Sequence, residues 1–359
     1  LGKLRGLQSL RLSGNKLAVL TSSLGELKSL QELQLSSNQL SELPESCGNL
    51  ESLLELHVAS NLLTILPHSI GRLSSLLTLN VRTNFLDYLP DSIGDLLALR
   101  KLHVGSNRLK VLPESLGRLG HLSELFLDHN EFVILPESLG QLCELQSLQL
   151  GQNQLKSLPQ SIGCLELLQE LFAGQNELSK LPETLGNLTN LQQLYLASNR
   201  LVELPESFTQ LRALQKLHLR ANELQELPED FGKLQELQKL FLTTNRLKRL
   251  PESICQLARL EELHINDNDL ESLPSHIGEL QSLLIFQVEV NDLKTLPESI
   301  GELPLEELRL ASNRLEELPQ SFEKLKTLQE LDLSYNRICE IPESVLVLQS
   351  SGTLVVANG

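Results

Sequence analysis

The chain is poor in aromatic residues, in positive charge and in long apolar runs, and each shortage excludes a class of function. It has no Trp and no Met, three Tyr and nine Phe in 359 residues. Its net charge of −16 at pH 7 disfavours nucleic acid or an anionic membrane surface as the main partner, because both require a dense basic surface. No apolar run has the roughly 20 residues of a membrane-spanning helix. We therefore predict a protein that neither binds nucleic acid nor inserts into a membrane.

Catalytic and cofactor motifs are also lacking. The sequence has no glycine-rich phosphate loop, no metal-ligand spacing and no nucleophile elbow. Its glycines and serines recur at fixed intervals, so none of them is a unique catalytic group. We predict that the chain is not an enzyme and holds no cofactor.

Cysteine is scarce and scattered. The five cysteines lie far apart, with no cluster at either end: Cys47, Cys143, Cys164, Cys255 and Cys339. This distribution favours a reducing compartment, and we predict a cytoplasmic protein. The glycosylation sequon Asn187-Leu188-Thr189 points the other way, but such triplets also arise by chance.

One unit fills almost the whole chain, and residues 191–211 (LQQLYLASNRLVELPESFTQL) represent it. An Asn recurs every 23 residues, with one contraction to 22, at positions 15, 38, 61, 84, 107, 130, 153, 176, 199, 222, 245, 268, 291, 313 and 336. A period of this length with Leu at fixed offsets is typical of a leucine-rich solenoid. The Asn amide can satisfy backbone groups at an inward turn, so we predict a structural role for it.

Each unit predicts a strand, a turn and a short helical return. Leu194 and Leu196 are two apart, so both leave the same face of an extended segment. After Pro205, residues 206–211 favour one helical or 3₁₀ turn, because proline is tolerated at its start. A unit this short must stack on its neighbours to bury its leucines.

These features together predict an α/β solenoid, a right-handed leucine-rich-repeat horseshoe with a parallel β-sheet on the concave face and 3₁₀ turns and loops on the convex face. We expect residues 1–359 to form a single domain of about 15 to 16 repeats. The lack of Met and a start inside a repeat suggest an excerpt of a longer protein. Two local departures are expected: a kink at Pro304, and a sixteenth strand within residues 352–358.

The unit in residues 283–303 follows Leu-x-x-Leu-x-Leu-x-x-Asn-x-Leu-x-x-Leu-Pro-x-Ser-Ile-Gly-x-Leu, with Phe286 and Val288 as variants. This pattern resembles the 23-residue leucine-rich repeats of the Ras-binding suppressor-of-Clear type, of LAP proteins such as Scribble and Erbin, and of plant Ras-group-related proteins. The resemblance covers essentially the whole chain. It implies a protein-interaction scaffold and a setting in small-GTPase signalling, but the matching residues are core and turn positions and identify no binding residue.

One column of the predicted sheet carries the candidate site. The outward residue at the strand centre is aromatic or His in several repeats: Phe126, Phe172, Tyr195, His218, Phe241 and His264. Exposed aromatics in a row are typical of a protein-binding surface. Acidic residues, including Glu124 and Asp128, and basic residues, among them Lys216, Arg220 and Lys239, are predicted to flank it. The alternative is that the rings stack only for stability.

The histidines of this column are not predicted to hold a metal. His218 and His264 lie two strands apart, which is about 9–10 Å and too far for a shared zinc ion. His218 lies beside Lys216 and Arg220, so partner binding could depend on pH.

We predict a scaffold or adaptor that binds another protein on its concave face, with a small GTPase or another signalling enzyme as the candidate partner. Two alternatives stay open. The chain could be the sensing array of a larger enzyme, such as a kinase, GTPase or ubiquitin ligase, or it could be an extracellular receptor ectodomain.

Overall fold

The computed structural model describes residues 3–340, 342–350 and 352–356. The chain divides into two compact units, unit 1 at Leu1–Glu177 and unit 2 at Leu178–Gly359. The expectation that residues 1–359 form one domain stays a prediction. Residues 1 and 2, where the chain was expected to begin inside a repeat, lie outside the described residues.

Unit 1 contains eight described strands that run parallel in chain order. They are β1 Ser9–Arg11, β2 Glu32–Gln34, β3 Glu55–His57, β4 Thr78–Asn80, β5 Lys101–His103, β6 Glu124–Phe126, β7 Ser147–Gln149 and β8 Glu170–Phe172. Between them lie 3₁₀ turns at Ser22–Glu26, Glu45–Asn49, His68–Arg72, Asp91–Asp95, Glu114–Arg118, Glu137–Gln141 and Gln160–Cys164.

Unit 2 follows the same plan. Its parallel strands are β9 Gln193–Tyr195, β10 Lys216–His218, β11 Lys239–Phe241, β12 Glu262–His264, β13 Ile285–Gln287, β14 Glu307–Arg309, β15 Glu330–Asp332 and β16 Leu354–Val356. Its 3₁₀ turns are Glu183–Asn187, Glu206–Gln210, Phe231–Lys233, Glu252–Gln256, Ile277–Glu279, Glu298–Glu302 and Gln320–Lys324. One α-helix, α1, spans Glu343–Ser350.

The predicted fold class is confirmed in both units: a solenoid of repeated strands and 3₁₀ returns around a core of leucines. Leu194 and Leu196 are fully buried, whereas Tyr195 between them is half-buried on the other face of the sheet. This alternation follows from the two-residue period of a strand. The core lies between the sheet and the turns.

The two expected departures are both visible. At the shortened repeat, Leu303 before Pro304 has an extended backbone with ψ 142, whereas the equivalent Leu280 has ψ 69. Strand β14 still pairs with β13, Ile285 facing Glu307. The sixteenth strand is present as β16; Ala357 and Asn358, at the end of the predicted segment, lie outside the described residues. The α-helix after Pro342 is an element that the repeat pattern did not predict.

Candidate protein-binding surface

Four rings of unit 2 form a continuous stack on the exposed face of the sheet. Tyr195 lies 4.2 Å from His218, His218 lies 4.2 Å from Phe241, and Phe241 lies 4.6 Å from His264, measured between ring centroids. The planes of neighbouring rings are within 13° to 19° of parallel. The stack arises because in-register parallel strands place equivalent residues side by side, as with His218 and Phe241.

The stack is half-buried, so both interpretations of the column retain support. Each ring covers part of its neighbours, which stabilises the sheet, and each still presents an edge to solvent. We call the four rings Tyr195, His218, Phe241 and His264 the ring stack.

Two basic side chains beside the ring stack are available to a partner. In the described part of the chain, neither Lys216 nor Arg220 forms a salt bridge. Lys239 differs, because its Nζ lies 2.5 Å from Glu262 Oε1, and this contact raises the pKa of Lys239. The predicted basic flank therefore consists of Lys216 and Arg220, with Lys239 largely neutralised by Glu262.

His218 does not act as a neutral-pH switch, contrary to the sequence-based expectation. Burial between two rings, followed by the nearby positive charge of Lys216, lowers the pKa of His218 to about 4. Its imidazole is therefore neutral at physiological pH. His264 has a fixed partner, since its Nδ1 lies 2.7 Å from Gln287 Oε1.

The two remaining predicted aromatics lie in unit 1. Phe126 stacks on His103, with ring centroids 4.3 Å apart and planes 5° from parallel. Phe172 is half-buried at the end of β8. Gly151 and Gly174 lie in the neighbouring column, and a Cβ on Gly151 would be 3.5 Å from the Gly174 carbonyl oxygen. Because neither residue has a side chain, a partner could approach the backbone beside these rings.

The predicted acidic flank is paired with basic groups inside unit 1. Glu124 lies 2.7 Å from Lys101 Nζ and 3.1 Å from His103 Nε2. Asp128 Oδ2 lies 2.7 Å from the Arg82 guanidinium. These carboxylates are therefore less available to a partner than the sequence suggested.

The described residues contain no arrangement of three or more His, Cys, Asp or Glu side chains suited to a metal ion. In the predicted column, the Phe241 ring separates His218 from His264. Within residues 3–340, 342–350 and 352–356, no helix has both the length and the apolarity needed to cross a membrane.

Sequence reasoning missed an exposed apolar row in unit 1. Four side chains at the fourth position after the repeat Asn are exposed by 44%, 45%, 59% and 62%: Ile65, Tyr88, Val111 and Ile134. An alignment of the repeats shows that these four residues share one position, but only the structure shows that they are exposed.

Comparisons with known proteins match the repeat pattern. A family model described as a leucine-rich repeat region matches residues 1–85, and a model described as leucine rich repeat matches residues 176–224, 212–270 and 304–350. Among curated proteins no match was found.

Solved structures give further similarity. A leucine-rich repeat protein of Leptospira interrogans is 37% identical with a TM-score of 0.89, and the alignment covers 99% of this chain and 91% of that one. The ectodomain of the Arabidopsis thaliana receptor kinase GASSHO1/SCHENGEN3, in complex with Casparian strip integrity factor 2, is 30% identical with a TM-score of 0.73, over 100% of this chain and 47% of that one. The Arabidopsis receptor kinase HAESA, in complex with the peptide hormone IDA and the co-receptor SERK1, is 32% identical with a TM-score of 0.78, over 99% of this chain and 63% of that one. The chain thus spans less than two thirds of either plant receptor chain.

Proposed function

Because the chain belongs to the leucine-rich repeat family, we propose that it is a cytoplasmic scaffold or adaptor that binds another protein on the exposed face of its parallel sheet. The observation that carries the proposal is the ring stack of unit 2 with Lys216 and Arg220 beside it. The fold generally serves as a binding module, which supports this proposal.

The chemistry of the ring stack suggests what the partner supplies. Aromatic side chains are enriched among the residues that contribute most to protein interfaces. Lys216 and Arg220 add positive charge without an internal partner, which favours acidic groups on the other protein. We propose that the bound segment places apolar side chains against the ring edges of Tyr195 and Phe241, and a carboxylate near Arg220.

The comparisons support protein or peptide binding as the general class. Two similar plant receptors are in complex with peptide or protein ligands. The scaffold role, the cytoplasmic location and a small GTPase or signalling enzyme as partner rest on the scattered cysteines and on the resemblance of the repeats. An array that serves a larger kinase, GTPase or ubiquitin ligase is the alternative within the cell.

A second candidate function, a peptide-binding receptor ectodomain, is favoured by the similarity to the two plant receptors. Asn187 of the sequon is exposed at the end of its 3₁₀ turn, where a glycan would have room. Mass spectrometry of the protein from its native cells separates the two candidates, because glycan on Asn187 requires passage through the secretory pathway.

The scaffold proposal is tested by partner capture. Tagged protein is used to capture partners from native cell extract, and bound proteins are identified by mass spectrometry and re-measured as purified pairs. We expect Lys216→Glu/Arg220→Glu to weaken the purified pair at least about tenfold, because each lost or reversed rim charge changes the interaction free energy by about 1 kcal/mol. Tyr195→Ala/Phe241→Ala should abolish it.

The matched control is Arg212→Glu, which reverses an exposed arginine of unit 2 outside the sheet. It should leave the affinity unchanged. Thermal melting shows whether each variant is still folded. Lys216→Glu/Arg220→Glu should melt as the unchanged chain does, because it leaves the four rings in place. Equal loss of affinity in Arg212→Glu and Lys216→Glu/Arg220→Glu would place the interface elsewhere.

A further inference from the structure

An exposed apolar row follows one side of unit 1, in the segment that leads from each Asn turn to the next proline. It comprises Ile65, Tyr88, Val111 and Ile134, each at the same position of four successive repeats and each 44–62% exposed. We call these four residues the side stripe. Phe85, in the same repeat as Tyr88, is also exposed and has the Arg108 guanidinium 4.6 Å from its ring centroid.

The side stripe is not required by the fold. In each of its repeats the next residue, such as Leu112 after Val111 or Leu135 after Ile134, is buried and supplies the core contact. The equivalent positions of unit 2 have polar residues: Glu203, Glu226, Arg249, Ser272, Thr295 and Glu317. The repeat therefore tolerates polar residues at this position, and four exposed apolar residues there lower solubility without being needed for folding. Exposed apolar patches of this kind mark interaction sites.

A row of carboxylates runs parallel to the side stripe. Asp91, Glu114 and Glu137 each follow a stripe residue by three positions, at most roughly 10 Å along an extended backbone. All three are exposed, and in the described part of the chain none forms a salt bridge with Lys or Arg. Glu137 accepts hydrogen bonds from the backbone N–H groups of Gln160 and Ser161, which keep its carboxylate ionised.

We propose that the side stripe binds an amphipathic α-helix of a partner protein, with apolar residues on one face and Lys or Arg along one flank. The apolar face would cover the side stripe, and the basic flank would lie along Asp91, Glu114 and Glu137. The spacing fits, because repeats stack about 4.7–4.9 Å apart at the sheet and one helical turn rises 5.4 Å. Three or four turns of helix would therefore match four successive repeats.

The charge of the surface favours a cationic helix over a second copy of the chain or an anionic lipid surface. The chain has a net charge of −16, and the carboxylate row lies beside the side stripe. A second copy of the chain or an anionic lipid surface would bring like charge against it, which is unfavourable. A cationic helix is the occupant that satisfies both the apolar and the acidic part of the surface.

The test uses two labelled peptides of about 14 residues, which is roughly four helical turns. Both have the same Leu residues along one face; one has Lys along the flank and the other has Glu. Fluorescence anisotropy with the full chain should give an affinity at least about tenfold higher for the Lys peptide at low salt. The difference should narrow at high salt, because exposed charges are screened.

Variants of the chain locate the site. Val111→Ser/Ile134→Ser should weaken binding of the Lys peptide at least about tenfold. Asp91→Asn/Glu114→Gln should also weaken binding of the Lys peptide, but should strengthen binding of the Glu peptide because it removes like charge. The matched control is Leu97→Ser/Leu167→Ser, which removes two exposed leucines of the same unit outside the side stripe. The control should bind as the unchanged chain does.

Three results would overturn the proposal. The first is equal affinity for the Lys and Glu peptides. The second is an equal loss of affinity for the Lys peptide in Leu97→Ser/Leu167→Ser and in Val111→Ser/Ile134→Ser. The third is a chain that self-associates in sedimentation, or binds phosphatidylserine vesicles, and loses that property in the stripe variant. Lys216→Glu/Arg220→Glu changes the surface beside the ring stack and should leave binding of the Lys peptide unchanged. The side-stripe proposal can therefore fail while the scaffold proposal stands, and the reverse.

Discussion

Asn222 illustrates how the recurring Asn holds neighbouring repeats together within unit 2. Its Nδ2 donates to the carbonyl oxygens of Leu196 and Leu219, each at 3.0 Å, and its Oδ1 accepts from the Leu201 N–H at 3.0 Å. The residue is 8% exposed. The amide thus satisfies backbone groups of two successive repeats that would otherwise be buried without partners.

Replacing Asn222 by Ala should lower the free energy of unfolding by more than about 3 kcal/mol, because several buried backbone groups would lose their partners at about 1–3 kcal/mol each. Asn187→Ala is the control, since Asn187 is exposed in the same unit, and it should change stability by less than about 0.5 kcal/mol. Urea denaturation followed by circular dichroism measures both. Similar losses in the two variants would contradict the structural role of the recurring Asn.

At the scale of the element, the spacing between 3₁₀ turns depends on glycine. A Cβ on Gly94 would lie 2.2 Å from the Ser115 carbonyl oxygen of the next turn, and one on Gly278 would lie 2.2 Å from the Ser299 carbonyl oxygen. Such contacts with backbone atoms cannot be relieved by a side-chain rotation. The close approach of the next turn at Gly94 and Gly278 is therefore possible because glycine has no Cβ.

Two natural exceptions agree with this interpretation. Thr209 and Cys255 replace the glycine, and the turns that follow them, Phe231–Lys233 and Ile277–Glu279, have three residues instead of five. These shorter turns also have Asp230 and His276 where other repeats have Ser or Thr. A shorter turn therefore follows each of these two residues, Thr209 and Cys255, which have a Cβ in place of the glycine.

Gly94→Ala should lower the free energy of unfolding by about 1–3 kcal/mol, as overpacking of a close contact does. Gly120→Ala provides the comparison in the same unit, because a Cβ on Gly120 would meet nothing within 4 Å. It should be neutral or slightly stabilising, since Ala restricts the unfolded chain more than Gly. Thermal unfolding that ranks Gly120→Ala as the more destabilised variant would contradict the contact.

At the scale of the whole molecule, the acidic residues are part of the structure as well as of the surface. Glu137 and Glu298 accept backbone N–H groups of the following 3₁₀ turn, and these hydrogen bonds lower the pKa of both carboxyls. Glu45 and Glu252 are placed in the same way. These four glutamates thus cap two turns in each unit.

This capping predicts a loss of stability in acid. A carboxyl whose pKa is lower in the folded state stabilises the fold above its unfolded pKa, near 4.5, and that contribution is lost as pH falls through the folded pKa. His218 also reduces stability in acid, because its pKa is lower in the folded state than in the unfolded chain. Its contribution is lost as the pH falls from about 6.5 to about 4. Glu289, whose pKa is raised by burial, opposes them.

The urea midpoint should therefore fall between about pH 7 and about pH 3. Glu137→Gln/Glu298→Gln should show a shallower fall below about pH 5, because the neutral amide does not gain a proton. A midpoint that rises on acidification, or an equally steep fall in the variant, would show that these caps do not contribute.

The sequence by itself determined the repeat, the strand and turn of each unit, and the buried leucines, because identical units at a fixed step can be stacked in only one register. It also located the column that contains Tyr195 and Phe241. The charge state of His218, the pairing of Asp128 with Arg82 and the exposure of the side stripe were decided only by the tertiary structure. These properties depend on distances between residues of different repeats, which a pattern along the chain does not contain.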